Sequence, residues 1–276
     1  MNTFDPKIYT CSTSNYATIR NTEQALMNTL SLLELLASTT WELLRNASVS
    51  GIQLREDAIT AFNLLALATA KDASLIEIED MSRTEATTGC DFEMWLQRKD
   101  RKWLRLAVQA KKVDPKSGNY KQIRHKVGQA LQIDILEDYA SANNALASYC
   151  LYNYSSSAIS TRCVGTTDQS QLGCTIVNSR QVRTALSRRG DSNFTNMHTK
   201  FGAVPWRCLL TCFSIRLPSA SYDGIELSRF LYDKLPGAFE ARRQDRLSVV
   251  SADNITVFAS GRTPERVIIL GDNCEG

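Results

Sequence analysis

The chain has 276 residues, 43% of them hydrophobic and 22% charged, with a net charge of only +3. That length allows one large domain or two small ones with a full core, while the near balance of charge points to no class of partner. No run approaches the roughly 20 apolar residues of a membrane span, the opening MNTFDPKIYTCSTS lacks a basic and apolar leader pattern, and eight cysteines lie scattered without the paired spacing of a disulfide scaffold, so a soluble cytoplasmic protein with reduced thiols and no membrane partner is expected.

In chain order, residues 1–50 read as an N-terminal helical extension. TEQALMNTLSLLELLASTTWELLRN sets Ala25, Leu26, Leu30, Leu33, Leu36 and Leu43 at helical intervals, a face for packing on its own core or for a homodimer. A second helix, LREDAITAFNLLALATA, stripes Ile59, Phe62, Leu65 and Ala66, with Glu56 in its first turn, where a carboxylate also suits the helix dipole. The stretch TTGCDFEMWLQRKDRKWLRLAVQAKK over 87–112 then changes period. Side chains two apart share a strand face, so Asp91 and Glu93 point together, and Leu104, Leu106 and Val108 alternate with Arg105, Ala107, Gln109 and Lys111. Two antiparallel strands, joined by a charged turn at 97–102, are expected to put apolar residues on one face and Asp91, Glu93, Gln109 and Lys111 on the other. YKQIRHKVGQALQIDILEDYA follows as a helix and ASYCLYNY as a strand.

Charge is ordered along this region. From Glu77 to Glu93 six acidic residues are opposed by Arg83 alone, and from Arg98 to Lys126 the basic residues face only Asp100 and Asp114. An acidic pocket beside a basic rim is the polarity that phosphodiester hydrolysis needs, with Arg98, Lys99, Arg101, Lys102, Lys112 and Lys116 as the expected contacts to nucleic acid. Hard divalent cations take carboxylate and carbonyl oxygens, so Asp91 is the natural anchor ligand and Gln109 a weaker neutral one. An ammonium at Lys111 orients the attacking water and offsets charge building on phosphate.

Asp91 followed by Gln109, Ala110 and Lys111 resembles the PD-(D/E)XK nuclease superfamily in its Gln-x-Lys variant, as in type IV restriction-like enzymes. More narrowly, TGCDFEMW, VQAKK, QIDILEDYA and YCLYNY look like a bacterial family of uncharacterised proteins with a TG-D-x-E-W and QAK signature. The resemblance covers roughly residues 52–155 and implies an α/β, restriction-endonuclease-like core (α-β-β-β-α-β, a mixed sheet flanked by helices). It also implies a Mg²⁺ (or Mn²⁺) ion held by Asp91, Gln109 and Glu56, with Glu93 or Glu85 as the substitute carboxylate. The implied activity is endonucleolytic hydrolysis, of DNA more than RNA, alone or within a larger bacterial antiviral defence assembly. The alternative is an inactive nucleic-acid-binding or scaffold protein on the same fold, with Gln109 marking a lost ligand.

Residues 156–276 are expected to form a C-terminal extension packed on the 51–155 core. It contains a Ser/Thr-rich loop, a strand leading into a helix with Arg180, Arg183, Arg188 and Arg189, a buried VPWRCLL segment, and two terminal strands, NITVFASG and ERVIILGDN. Cys208 and Cys212 near His198 lack the second pair that a structural zinc site needs.

Overall fold

The computed structural model describes residues 13–70, 75–98, 101–159, 168–188, 190–211, 221–222 and 225–237. The chain divides into a unit Met1–Pro236 and a second unit, Gly237–Gly276; the expected terminal strands NITVFASG and ERVIILGDN lie outside the described residues.

Two helices come first, α1 (Thr13–Val49) and α2 (Glu56–Thr69). Strand β1 (Ile76–Asp80), the short helix α3 (Glu85–Thr88), β2 (Phe92–Gln97) and β3 (Trp103–Lys112) follow. A two-residue ladder of β4 (Lys126–Val127) with β5 (Ala130–Leu131) leads into α4 (Gln132–Ala142) and β6 (Leu146–Tyr152). Beyond these lie β7 (Cys174–Asn178), α5 (Ser179–Ser187), α6 (Phe194–Thr199), β8 (Val204–Pro205), a ladder of β9 (Ser221–Tyr222) with β10 (Ile225–Glu226), and β11 (Leu231–Tyr232). The fold is α/β. One mixed sheet runs in the order β1-β2-β3-β6-β7-β8, with β11 also paired to β3.

The expected hairpin is present. Strands β2 and β3 pair antiparallel, Phe92 opposite Val108 and Gln97 opposite Trp103, and the Arg98 N–H closes the turn on the Lys102 carbonyl at 2.8 Å. The connection through α4 then brings β6 parallel to β3, Gln109 opposite Tyr149 and Lys111 opposite Leu151.

The expectation of one apolar and one polar hairpin face needs correction, because both faces are buried. On one side Phe92, Met94, Leu106 and Val108 pack with Leu33, Leu36, Leu44 and Ile59 of the two N-terminal helices. On the other, Ala107, Tyr149 and Leu151 pack with Ile133, Leu136 and Val182 of α4 and α5. A sheet covered by helices on both faces loses the strict alternation of a half-exposed one, and the polar residues on the second face are drawn inside with it.

Three further boundaries shift. Helix α1 starts at Thr13, nine residues ahead of the expected segment. The α2 stripe is rotated: Ile59, Leu64 and Leu67 are buried, whereas Phe62 and Leu65 are exposed. The rotation follows Asn63, a fully buried amide that donates to Thr40 Oγ1 at 3.2 Å and so turns a polar position inward. The basic run before α4 is not helical; Gly128 takes a left-handed φ of 62° between β4 and β5, and the helix begins only at Gln132.

Among the described residues beyond 155, three strands belong to the sheet itself, since β7 pairs antiparallel with β6, β8 with β7 and β11 with β3. Helix α1 crosses this region closely enough that a Cβ on Gly173 would lie 1.9 Å from the Ala37 carbonyl oxygen. Glycine is therefore required there to seat the helix.

His198, with Trp206 and Cys208, is fully buried. Its Nδ1 lies 2.7 Å from the Phe194 carbonyl and its Nε2 3.1 Å from Thr175 Oγ1, a core role rather than a ligand role. Cys212 lies outside the described residues. Burial pushes the imidazole down to about 4, so the unfolded chain takes up this proton first. The stability carried by His198 is present above pH 6.5 and lost as pH falls toward 4, by at most ~3 kcal/mol. In NMR titration of the two histidines, His198 is expected to stay neutral down to about pH 5; an inflection near 6.5 would contradict its burial.

Candidate functional site

The site lies where β2 begins and β3 ends. Helix α3 stops at Gly89, whose φ of 66° is left-handed and whose N–H bonds back to the Glu85 carbonyl at 2.7 Å. A Cβ at Gly89 would meet the Leu136 amide nitrogen at 2.6 Å. The chain thus turns tightly against α4, and two residues later it delivers Asp91 to the end of β3.

Asp91 Oδ2 accepts the Ala110 N–H at 2.6 Å and also the Gln109 side-chain Nε2. Burial pushes its carboxyl up to about 7; the Lys111 ammonium and the Ala110 N–H pull the other way, and Glu85 and Glu56 add to the rise. Lys111 is only 4% exposed. Its Nζ sits 3.5 Å from Glu56 Oε1, while Glu56 Oε2 accepts the Lys112 backbone N–H at 2.6 Å. The first turn of α2 therefore reaches the end of β3, and Glu56, which only the resemblance implied, joins Asp91, Gln109 and Lys111 there. A solvated lysine at 111 is ruled out by its burial.

Glu93 is a correction. Arg105 clamps it with Nη2 at 2.7 Å and Nε at 3.0 Å, and the Tyr139 hydroxyl donates to it at 2.7 Å. Arg105 in turn lies 5.1 Å over the Trp95 ring and donates to the Asn143 carbonyl. This buried pair belongs to the packing between the sheet and α4, away from the cleft. A buried carboxylate demands such a partner, and the cross-strand position of Arg105 supplies it.

Glu85 takes the place that Glu93 leaves. Its Oε1 accepts from Gln132 Nε2 at 2.6 Å, and Gln109 Nε2 lies 3.5 Å away. Glu85 was open to sequence reasoning only as a substitute carboxylate, and Gln132 was missed altogether; a buried glutamine at the start of a helix carries no signal beyond its polarity.

The basic residues divide. Glu56, Asp91, Lys111, Lys112, Lys116 and Lys121 line one cleft of about 1000 Å³. Arg98, Arg101 and Lys102 sit instead at the turn joining β2 to β3, the far end of both strands, about 20 Å from Asp91 at roughly 3.3 Å per residue. Lys102 lies 3.8 Å from Asp233, and Lys99 is outside the described residues. As contacts beside this cleft, the turn residues are corrected; Lys112 and Lys116 remain. On α5, Arg183 is engaged by Glu137 and Asp134 at 2.6 and 2.8 Å.

Among the described residues no group of three His, Cys, Asp or Glu side chains could hold a metal ion by itself. The amides alter the donor set. Gln109 Oε1 and Gln132 Oε1 are both buried without a hydrogen-bond partner, and both amides meet the carboxylates Asp91 and Glu85 through Nε2, so an amide turned to present its oxygen would complete the oxygen donor set that hard cations prefer. The residues present thus fit a Mg²⁺-like ion, provided that an amide takes part.

The chain matches one family over residues 30–268. It belongs to DUF6615, a family of unknown function. No curated protein matches the chain. The DUF6615 match spans the site together with β7, β8 and β11, in line with a sheet that continues past residue 155. No helix among the described residues is long and apolar enough to cross a membrane.

Replacing Gly89 by Ala in this DUF6615 chain is expected to cost at least ~1–2 kcal/mol for the left-handed backbone alone, more with the contact to α4. Urea unfolding measures it, and a variant as stable as wild type would remove Gly89 as the device that sets Asp91.

Proposed function

We propose that the protein is a metal-dependent nuclease that hydrolyses phosphodiester bonds, with DNA favoured over RNA. The observation that carries the reading is the meeting of Asp91, Gln109 and Lys111 at one strand end, with Glu56 reaching in from α2, in a cleft flanked by Lys112, Lys116 and Lys121. The order α2-β1-β2-β3-α4-β6, with β3 and β6 parallel, supports the restriction-endonuclease-like comparison as well.

In this reading Asp91 and Gln109 hold a Mg²⁺ or Mn²⁺ ion, which polarises the scissile phosphate and lowers the pKa of a water. The chain's own groups do the rest. Lys111 donates hydrogen bonds to the attacking water or to a phosphate oxygen, and Glu56 fixes its ammonium, so positive charge waits where negative charge will build. The Lys112 and Lys116 side chains follow the nucleic-acid backbone as sequence-independent contacts. Lys111 and the Ala110 N–H also favour the ionised form of Asp91 against its burial. A cellular role in antiviral defence would follow from the bacterial family that the motif resembles.

The test is cleavage of supercoiled plasmid and of labelled single-stranded DNA and RNA with Mg²⁺, Mn²⁺ or EDTA. Wild type is expected to cut with metal and not with EDTA, and Lys111→Ala to lose at least ~100-fold while binding stays largely intact. Salt-sensitive binding with no cutting by wild type on any substrate would replace this reading with an inactive nucleic-acid-binding protein on the same fold. Lys116→Ala is expected to lower the salt dependence of binding by about one phosphate contact, whereas Arg101→Ala at the distant turn leaves it unchanged; the reverse result would move the nucleic-acid path off the cleft.

A further inference from the structure

The two carboxylates nearest Asp91 are used differently. Glu56 has both oxygens engaged, Oε1 with the Lys111 ammonium and Oε2 with the Lys112 N–H. The hydrogen bonds to Glu85 among the described residues come instead from amide heads, Gln132 Nε2 at 2.6 Å and Gln109 Nε2 at 3.5 Å on the same oxygen. The Gln109 amide head stands between Asp91 Oδ2 and Glu85 Oε1, so its partly positive NH₂ bridges two carboxylates.

Both amides leave their oxygens buried and unpartnered. Gln109 is 0% exposed and Gln132 is 2% exposed, and a buried acceptor without a donor costs roughly 1–3 kcal/mol. Gln109 is the one that a cation would relieve: turned to present its oxygen, it would place a third hard donor beside Asp91 and Glu85, while Gln132 keeps its Nε2 on Glu85.

Resting on the nuclease reading above, we infer that the cation held by Asp91 and Gln109 takes Glu85 as its third protein ligand. Gln132 is the positioning residue that steers this carboxylate, and Glu56 serves Lys111 rather than the ion. The helix-borne carboxylate that the motif implied as a ligand is thereby replaced by one from α3, the element that also sets Asp91 through Gly89.

The experiment is titration of Ca²⁺ and Mg²⁺ into the full chain by calorimetry, with the Ca²⁺-induced rise in melting temperature as a second readout that does not depend on cleavage. Asp91→Asn is expected to abolish binding. Glu85→Gln and Gln132→Leu weaken it by about 10–100-fold and lose most of the rise in melting temperature, while Glu56→Gln, which removes a charge but no ligand, weakens it far less than Glu85→Gln. Glu85→Gln binding as tightly as wild type would overturn the inference and leave the nuclease reading standing. A Gln132→Leu chain that melts lower without cation but gains the full Ca²⁺ rise would reduce Gln132 to a packing role. Wild type that binds no divalent cation would overturn the metal reading itself, and this inference with it.

Discussion

The bond from the Ala110 N–H to Asp91 ties the start of β2 to the end of β3 and holds a carboxylate at the margin of the core. The other site groups answer to that placement. A partly buried carboxylate raises the cost of its own charge, which is why its proton affinity climbs to about 7. Lys111 and the Ala110 N–H offset part of that cost, while the Lys112 N–H bonds Glu56. Charge at this strand end is balanced by short contacts between groups of the chain itself.

The second buried charge on the hairpin is settled in the opposite way. Glu93 accepts two bonds from Arg105 and one from Tyr139, and the guanidinium also lies over Trp95. With every strong partner in place, this pair has little left to offer a ligand. Asp91 and Glu93 are two residues apart, one just ahead of β2 and one within it, yet Glu93 is closed into the packing and Asp91 opens onto a cleft. What separates them is the opposite strand: Arg105 beside Glu93, and the chain's exit toward Lys112 beside Asp91.

Period and spacing made the centre of this fold legible. The hairpin, the parallel strand after α4, and the meeting of Asp91, Gln109 and Lys111 all follow from period-two alternation in 87–112 and from a helix between two apolar strands. What failed had physical causes. A charged run such as 98–102 says that a turn is exposed but not which end of the sheet it occupies, so Arg98 and Arg101 were expected beside a site that lies a strand's length away. Buried polar residues misled the helix readings, since Asn63 turns α2 by bonding Thr40 and hydropathy counts it as solvent-facing. Glu85 and Gln132 meet across a separation of 47 residues, and no local pattern encodes a contact of that kind.

The amide at position 109 is best understood through the charge around it. Glu56 and Glu85 already press Asp91 toward its neutral form, and a third carboxylate at 109, beside Asp91 and fully buried, would press harder against a single lysine that Glu56 already engages. An amide contributes an oxygen without another negative charge and, before any cation arrives, an NH₂ that hydrogen-bonds Asp91. For the proposed cation the cost would be weaker attraction, so a neutral group at 109 would make such a site depend more heavily on a further carboxylate placed elsewhere. Glu85, held by a second buried amide on α4, is the group in this chain whose surroundings suit that demand.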